Sequence, residues 1–482
     1  MKVTCPKCQS SYVIKDDLAG KRCQCRKCET IMQIPAMAAI ELAVPKPAGP
    51  PASKEERLRE MLDAFGDDIE PVRTTWLHRV GLLVVAVGMI FLPIVYVVLI
   101  AGVAFLLFYH VTENVSILWK HPGIWTVLFG YIAPLLAGVI LLFFMIKPLF
   151  ARSPKARRVR TLSVAEAPLL YALVKRVAHA VGAPEPRRID IDCQVNASAS
   201  FGSGLSGLFG HDLVLTIGMP LVAELTVQQL AGVIAHELGH FSQGAGMRLS
   251  YVIRSINFWF VRVVFERDAW DERLVMWSLE TGRLAPVFWL ARLFVWITRG
   301  ILWVLMIIGH GLSCFLLRQM EYDADRHEIR LAGSDCFAVT SRRISVLSLA
   351  MEAACMDLIA CCRKEKLPDD FVTLISHNAE KLPAKYVRRL DKELKQAKTG
   401  LLDTHPSYSD RLANAQQEGA EGIFHLEWPA VHLLNNYPKV ARSATKEFYR
   451  GAFGKRSKYM TIVSTASLLA EQERPLASRE DS

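Results

Sequence analysis

Two long stretches of this sequence, Val80–Tyr109 and Ile124–Ile146, contain no charged side chain. Each exceeds the ~20 apolar residues a helix needs to cross a bilayer, which excludes an ordinary buried helix of a soluble domain. The segment after the second stretch, KPLFARSPKARRVR, has no acid, only Lys147, Arg152, Lys155, Arg157, Arg158 and Arg160. The short loop between the stretches holds only Glu113 and Lys120, and Arg73 and Arg79 precede the first. Positive flanks stay in the cytosol, so the two helices form a hairpin with both ends on that side. Six of the eleven cysteines (Cys193, Cys314, Cys336, Cys355, Cys361, Cys362) follow no regular spacing, which excludes a disulfide framework and fits a reducing compartment. Residues 1–35 lack an apolar leader, so no secretory signal peptide is expected there. The formal charge is +10, but its basic residues lie beside the apolar stretches. That pattern signals membrane topology rather than a nucleic-acid face.

The remaining five cysteines crowd into the first 28 residues. CPKC gives Cys5 and Cys8, and QCRKC gives Cys25 and Cys28, with Cys23 as a surplus thiol. Two Cys-x-x-Cys knuckles at this separation can hold one structural zinc tetrahedrally, and the metal supplies folding free energy that so short a segment cannot. A redox dithiol is the competing reading. The segment resembles small zinc-ribbon modules at the N-termini of bacterial proteins. Lys7, Lys15, Lys21, Arg22, Arg26 and Lys27 would tolerate nucleic acid, but Tyr12 is the only aromatic platform, so nucleic acid is not the expected partner.

The chain divides into a ribbon (1–35), an Ala/Pro-rich and then charged linker (36–79), a transmembrane hairpin (80–146), a catalytic domain (147–414) and a C-terminal extension (415–482). Residues 249–317 form an insertion in the catalytic domain. Within that domain the pattern predicts a helix from Ala165, strands near Arg188–Cys193 and Leu213–Thr216, and a helix capped by Thr226 and Gln229.

That capped helix carries His236-Glu237-Leu238-Gly239-His240. Residues four apart share a helix face, so both imidazoles can bind one metal ion, and Glu237 stands beside the open position as general base. From background composition a chance H-E-x-x-H occurs in roughly one or two such chains in a hundred. A catalytic zinc usually has three protein ligands, and Glu321-Tyr322-Asp323-Ala324-Asp325 offers two carboxylates four apart. One would coordinate, and the other would accept the outer N–H of a ligating histidine. An ordinary charged helix face between Arg318 and Arg326 is the bland alternative.

HELGH, RQMEYDAD and THPSYSDR together resemble the M48 family of metallopeptidases, which includes the HtpX proteins and the Ste24 prenyl-protein peptidases. The resemblance runs from about Arg160 to Leu412. It implies Glu321 as the third ligand and Asp325 as the residue behind a ligand. It also implies that Asn196 and Ala197, in NASAS, lie on a strand beside the substrate cleft. His405 and Arg411 match positions that line the family's active site, where they could steady an oxyanion or close the cleft. The expected fold is mainly α with a small β-sheet: a zincin-like metallopeptidase domain with transmembrane helices and an N-terminal zinc ribbon. HtpX proteins have two membrane helices between the second histidine and the glutamate. Here Arg254 and Arg262 interrupt one candidate, and Arg292 and Arg299 the other. Because both ligands share one side, either both segments cross or neither does; surface association without crossing is the expectation. His310, in the second run, reads as a core histidine.

The resulting expectation is an integral protein of the bacterial inner membrane with ribbon and catalytic domain facing the cytosol. It would be an endopeptidase with one catalytic and one structural zinc ion, acting on membrane or membrane-adjacent proteins, with its oligomeric state left open. The alternative is an inert membrane scaffold that binds partners through its ribbon, which leaves the retained base Glu237 without a purpose.

Overall fold

The computed structural model describes residues 2–4, 11–13, 22–24, 28, 31–33, 53–66, 69–70, 72, 76–120, 123–150, 158–202, 212–242, 245–267, 269–279, 282 and 285–473. The chain forms two units, residues 1–50 and 51–482. In the first, Lys2–Thr4 pairs antiparallel with Ser11–Val13, and Arg22–Gln24 with Ile31–Gln33. In sequence each Cys-x-x-Cys falls in the connection of one hairpin. Cys28 lies in a turn; Cys5, Cys8 and Cys25 lie outside the described residues, and with them the expected four-thiolate site.

The second unit is built on a small sheet in the order Arg160–Thr161, Arg188–Asp192, Leu213–Gly218, Ala197–Phe201. The middle two strands are parallel and both outer pairings are antiparallel. Helix Pro168–Val181 turns its apolar side (Leu170, Leu173, Val177) to the core and stops at Gly182, whose φ of 72° suits glycine. Helix Ser334–Arg363 contributes Leu347, Ala350, Ala354 and Leu358 to the same core.

Two expected boundaries change. Helix Lys54–Asp63, in the expected linker, is closed by a capping box between Ser53 and Glu56. Met61, Phe65 and Ile69 then enter the main hydrophobic core. The expected C-terminal extension also belongs to that core through Phe424, Trp428, Leu433, Val440, Ala444 and Tyr449. The two ends meet directly: Phe65 stacks on Phe424 with ring centroids 4.1 Å apart. Strand Thr461–Val463 also pairs in parallel with Lys366–Pro368.

By length and composition alone, 79–119, 124–150, 287–332 and 334–363 could cross a membrane. The last has its apolar side in the main hydrophobic core, and its Arg342 and Arg343 pair with Asp391 and Glu224. Packing therefore assigns it to the domain. The first two form the hairpin, tied where the Tyr96 hydroxyl donates to the Met145 carbonyl at 2.7 Å. Outside the hairpin's contacts Val84, Phe91, Val98, Phe105, Leu106 and Phe129 are exposed, an apolar surface of the kind a bilayer would cover.

The insertion consists of helices Ala245–Phe265 and Ala269–Leu279 and the long helix Ala285–Ala332. Its apolar half joins the hairpin in one cluster: Leu82, Met89 and Tyr96 pack with Phe260, Leu302 and Met306. The arginines that interrupt the sequence point between helices. Arg292 donates to Ser278 Oγ at 2.8 Å, and Arg299 to the Val264 and Glu266 carbonyls and to Asp271. The insertion therefore stands against the membrane hairpin rather than lying apart from it. His310 is not a core residue: its Nε2 lies 2.6 Å from the Leu402 carbonyl and holds a loop.

Candidate metal centre

Helix Val227–Gly239 begins where the Thr226 side chain accepts from the Gln229 amide and Gln229 reaches back to the Thr226 amide. Leu230, Ala231, Ile234, Ala235 and Leu238 are buried in the core, which leaves His236, Glu237 and His240 on the other face. The long helix crosses this one at very short range. A Cβ on Gly239 would lie 2.8 Å from His327 Cδ2, and one on Gly232 would lie 3.1 Å from the Ala332 Cβ. These two glycines, two turns apart, let the long helix bring Glu321 to the histidines.

Ligand atoms of His236, His240 and Glu321 all lie within 4.8 Å of one another. His236 Nε2 is 3.8 Å from Glu321 Oε2, and His240 Nε2 is 3.7 Å from Glu321 Oε1. Ligands about 2.1 Å from a tetrahedral zinc sit roughly 3.4 Å apart, so the donor set fits that ion. The imidazoles stand nearly perpendicular, at 87°. Burial and the neighbouring His236 push His240 down to about 3, which leaves its imidazole neutral with a lone pair to offer.

Behind the ligands is a layer of charge. Asp325, fully buried, has Oδ1 3.1 Å from His236 Nδ1, at hydrogen-bond distance but off the N–H direction. Arg411 clasps Asp325 with both arms, at 2.9 and 2.5 Å, and stacks over Phe337. Arg411 therefore stands behind the ligand, where the resemblance implied a residue that steadies an oxyanion or closes the cleft. Glu328 Oε2 also approaches His236 Nδ1, at 3.7 Å. His405 Nδ1 lies 3.2 Å from Glu321 Oε2 while most of its side chain is exposed, so it overhangs the open side of the centre. Its loop is fastened to the long helix by Arg318, which donates to the Gly400 carbonyl at 2.8 Å.

The strand Ala197–Phe201 is the last of its sheet, so among the described residues one of its edges is unpaired. Ala199, rather than Asn196 or Ala197, is the strand residue whose backbone acts on Glu237, favouring its charged form. Asn196 shares the opposite face with Ser198 and Ser200, lining a polar hollow that also holds Asp190 and Asp192. Ala197 is buried. Alternation along NASAS puts Ala199 on the Ala197 face, so this signal was present in the sequence. Burial pushes the Glu237 carboxyl up from its ordinary range, against the pull of His236, which suits a group that must take and release a proton.

Arg254 had no such signal. It reads as an interruption of an apolar helix, yet its guanidinium lies 2.9 Å from Glu321 Oε1. Nothing in the local pattern of Ala245–Phe265 reveals that this residue points at a carboxylate 67 positions away.

A family model described as peptidase family M48 matches residues 165–419, just over half the chain, from the helix after the sheet's first strand through the helix that carries Arg411. Comparison with curated proteins and with solved structures returned no match.

Proposed function

The chain belongs to peptidase family M48, and from that premise we propose a membrane-anchored, zinc-dependent endopeptidase acting on membrane or membrane-adjacent proteins. The observation that carries this reading is the convergence of His236, His240 and Glu321 beside the buried carboxylate of Glu237. His236, His240 and Glu321 would hold the ion. When bound, zinc would polarise the scissile carbonyl and make water more acidic at neutral pH.

The remaining chemistry belongs to the chain. Glu237 accepts the proton of the attacking water and delivers it to the departing amide nitrogen. Asp325, 3.1 Å from His236 Nδ1, would take the outer N–H of that ring once metal binding turns it into line, and so fix its tautomer, while Arg411 holds Asp325 in place. Arg254 and His405 take one oxygen each of Glu321, which restrains the carboxylate from both sides. An extended peptide can add to the free edge of Ala197–Phe201, with its backbone bonded to the strand and a carbonyl next to Glu237. The long helix runs from the apolar bundle to Glu321, about 54 Å along its axis from residue 285, which favours substrates presented near the bilayer.

The test is cleavage of an unfolded protein by detergent-purified wild type and Glu237→Gln, with zinc measured on both. The variant should keep its zinc and lose about 10²–10⁴-fold in rate. Turnover close to wild type would remove Glu237 as the base.

A further inference from the structure

A second cavity, of about 890 Å³, lies away from the metal centre, between the foot of the membrane hairpin and the insertion. Its position follows from the chain. The charge-free stretch Ile124–Ile146 ends at Lys147, the first of the basic flank, and Lys147 is on the cavity wall. Positive flanks rest at the cytosolic headgroup level, so the cavity opens where lipid phosphates lie.

Its lining has two characters. Phe143, Phe144, Phe150 and Trp270 form an apolar and aromatic side continuous with the membrane helix. Lys147, Arg262, Arg267 and Arg299 face Glu266 and Asp271 on the other, four cations against two carboxylates among the described residues. Asp271 already serves two of the cations, with Lys147 Nζ at 3.1 Å and Arg299 at 2.6 Å. Thr298, also on the wall, is 2 % exposed, and its hydroxyl has no hydrogen-bond partner among the described residues. A buried hydroxyl of that kind costs free energy unless a ligand completes it.

We propose that this cavity binds an anionic phospholipid, with its phosphate among the basic side chains and Thr298 and its acyl chains along Phe143, Phe144 and Phe150. A neutral lipid would bring no counter-charge to the four basic side chains. A free phosphate would leave the aromatic wall facing water. An anionic amphiphile satisfies both sides, as in basic pockets between membrane helices. The site rests on the membrane reading above and not on the peptidase chemistry.

The experiment uses the full chain, extracted in detergent and stripped of lipid. Retention of phosphatidylglycerol and phosphatidylcholine is read by native mass spectrometry, and thermal unfolding is followed with each lipid or with inorganic phosphate. Wild type should retain the anionic lipid preferentially and be stabilised by it alone. Arg267→Gln, at the exposed rim, should lower the preference about fivefold, the effect of one basic charge near a membrane surface. Thr298→Leu should lower it as well. Equal retention of both lipids overturns the site, and so does inorganic phosphate that stabilises as well as the anionic lipid. Recovery of the chain without detergent overturns site and membrane reading together. None of these readouts needs cleavage, so a failed peptidase assay is a separate result.

Discussion

At the scale of single residues, the centre works through pairs that only make sense together. Asp325 is completely buried between His236 and Arg411. Asp325→Asn keeps the shape but weakens the acceptor behind His236, and zinc affinity measured by competition with a chelator should fall about 10–100-fold. Arg411→Ala should behave differently. It leaves the Asp325 carboxylate buried without its partner, which costs roughly 3–5 kcal/mol, and thermal unfolding should show the loss. A stable Arg411→Ala protein would mean that Asp325 does not depend on Arg411. Both residues stand out in the sequence, Asp325 by its spacing from Glu321 and Arg411 by its motif. Neither motif says which way the guanidinium turns. Its direction is settled by Phe337 and Asp325, which come from other helices.

At the scale of elements, the site depends on how closely two helices cross. Gly239 is an unspecified position of the His-Glu-x-x-His pattern, yet a side chain there meets His327 at 2.8 Å. Gly239→Val should push the long helix away, with an overpacking cost of about 1–3 kcal/mol and a loss of bound zinc, while far-UV helicity is kept. Full zinc content in that variant would show that the crossing can relax without moving Glu321. The motif helix itself was legible because its signals are local: a cap, a capping box and an apolar stripe within a few turns. The insertion was less legible. Its arginines look like breaks in membrane helices when read along the chain, but they find carbonyls, hydroxyls and carboxylates on neighbouring helices.

At the scale of the whole molecule, the catalytic core reaches beyond the stretch that the family model matches. Met61 and Phe65 come from before the membrane hairpin, and Phe424 to Tyr449 from after residue 419. A chain that stops at residue 419 should therefore lack Phe424 against Phe65 and expose the face that helix Tyr437–Ala452 covers. Limited proteolysis should degrade it through the catalytic domain, because removal of a buried phenylalanine alone costs about 3–5 kcal/mol. A protease-resistant, zinc-loaded fragment would show instead that the tail only decorates a complete domain.

By itself the sequence determined two apolar helices long enough to cross a membrane, the capped motif helix and a set of side chains that could bind a metal, because each is written in length, charge or spacing along one segment. It also set Glu321 and Asp325 one turn apart, though which of them faces the metal came from resemblance. The tertiary structure decided the rest: Arg254 on Glu321, the backbone of Ala199 acting on Glu237, Arg411 behind Asp325, and residues 61–69 and 424–449 folded into one core. Those contacts join residues far apart in sequence. Their partners are selected by how helices cross and which faces are buried, and no local pattern records that choice.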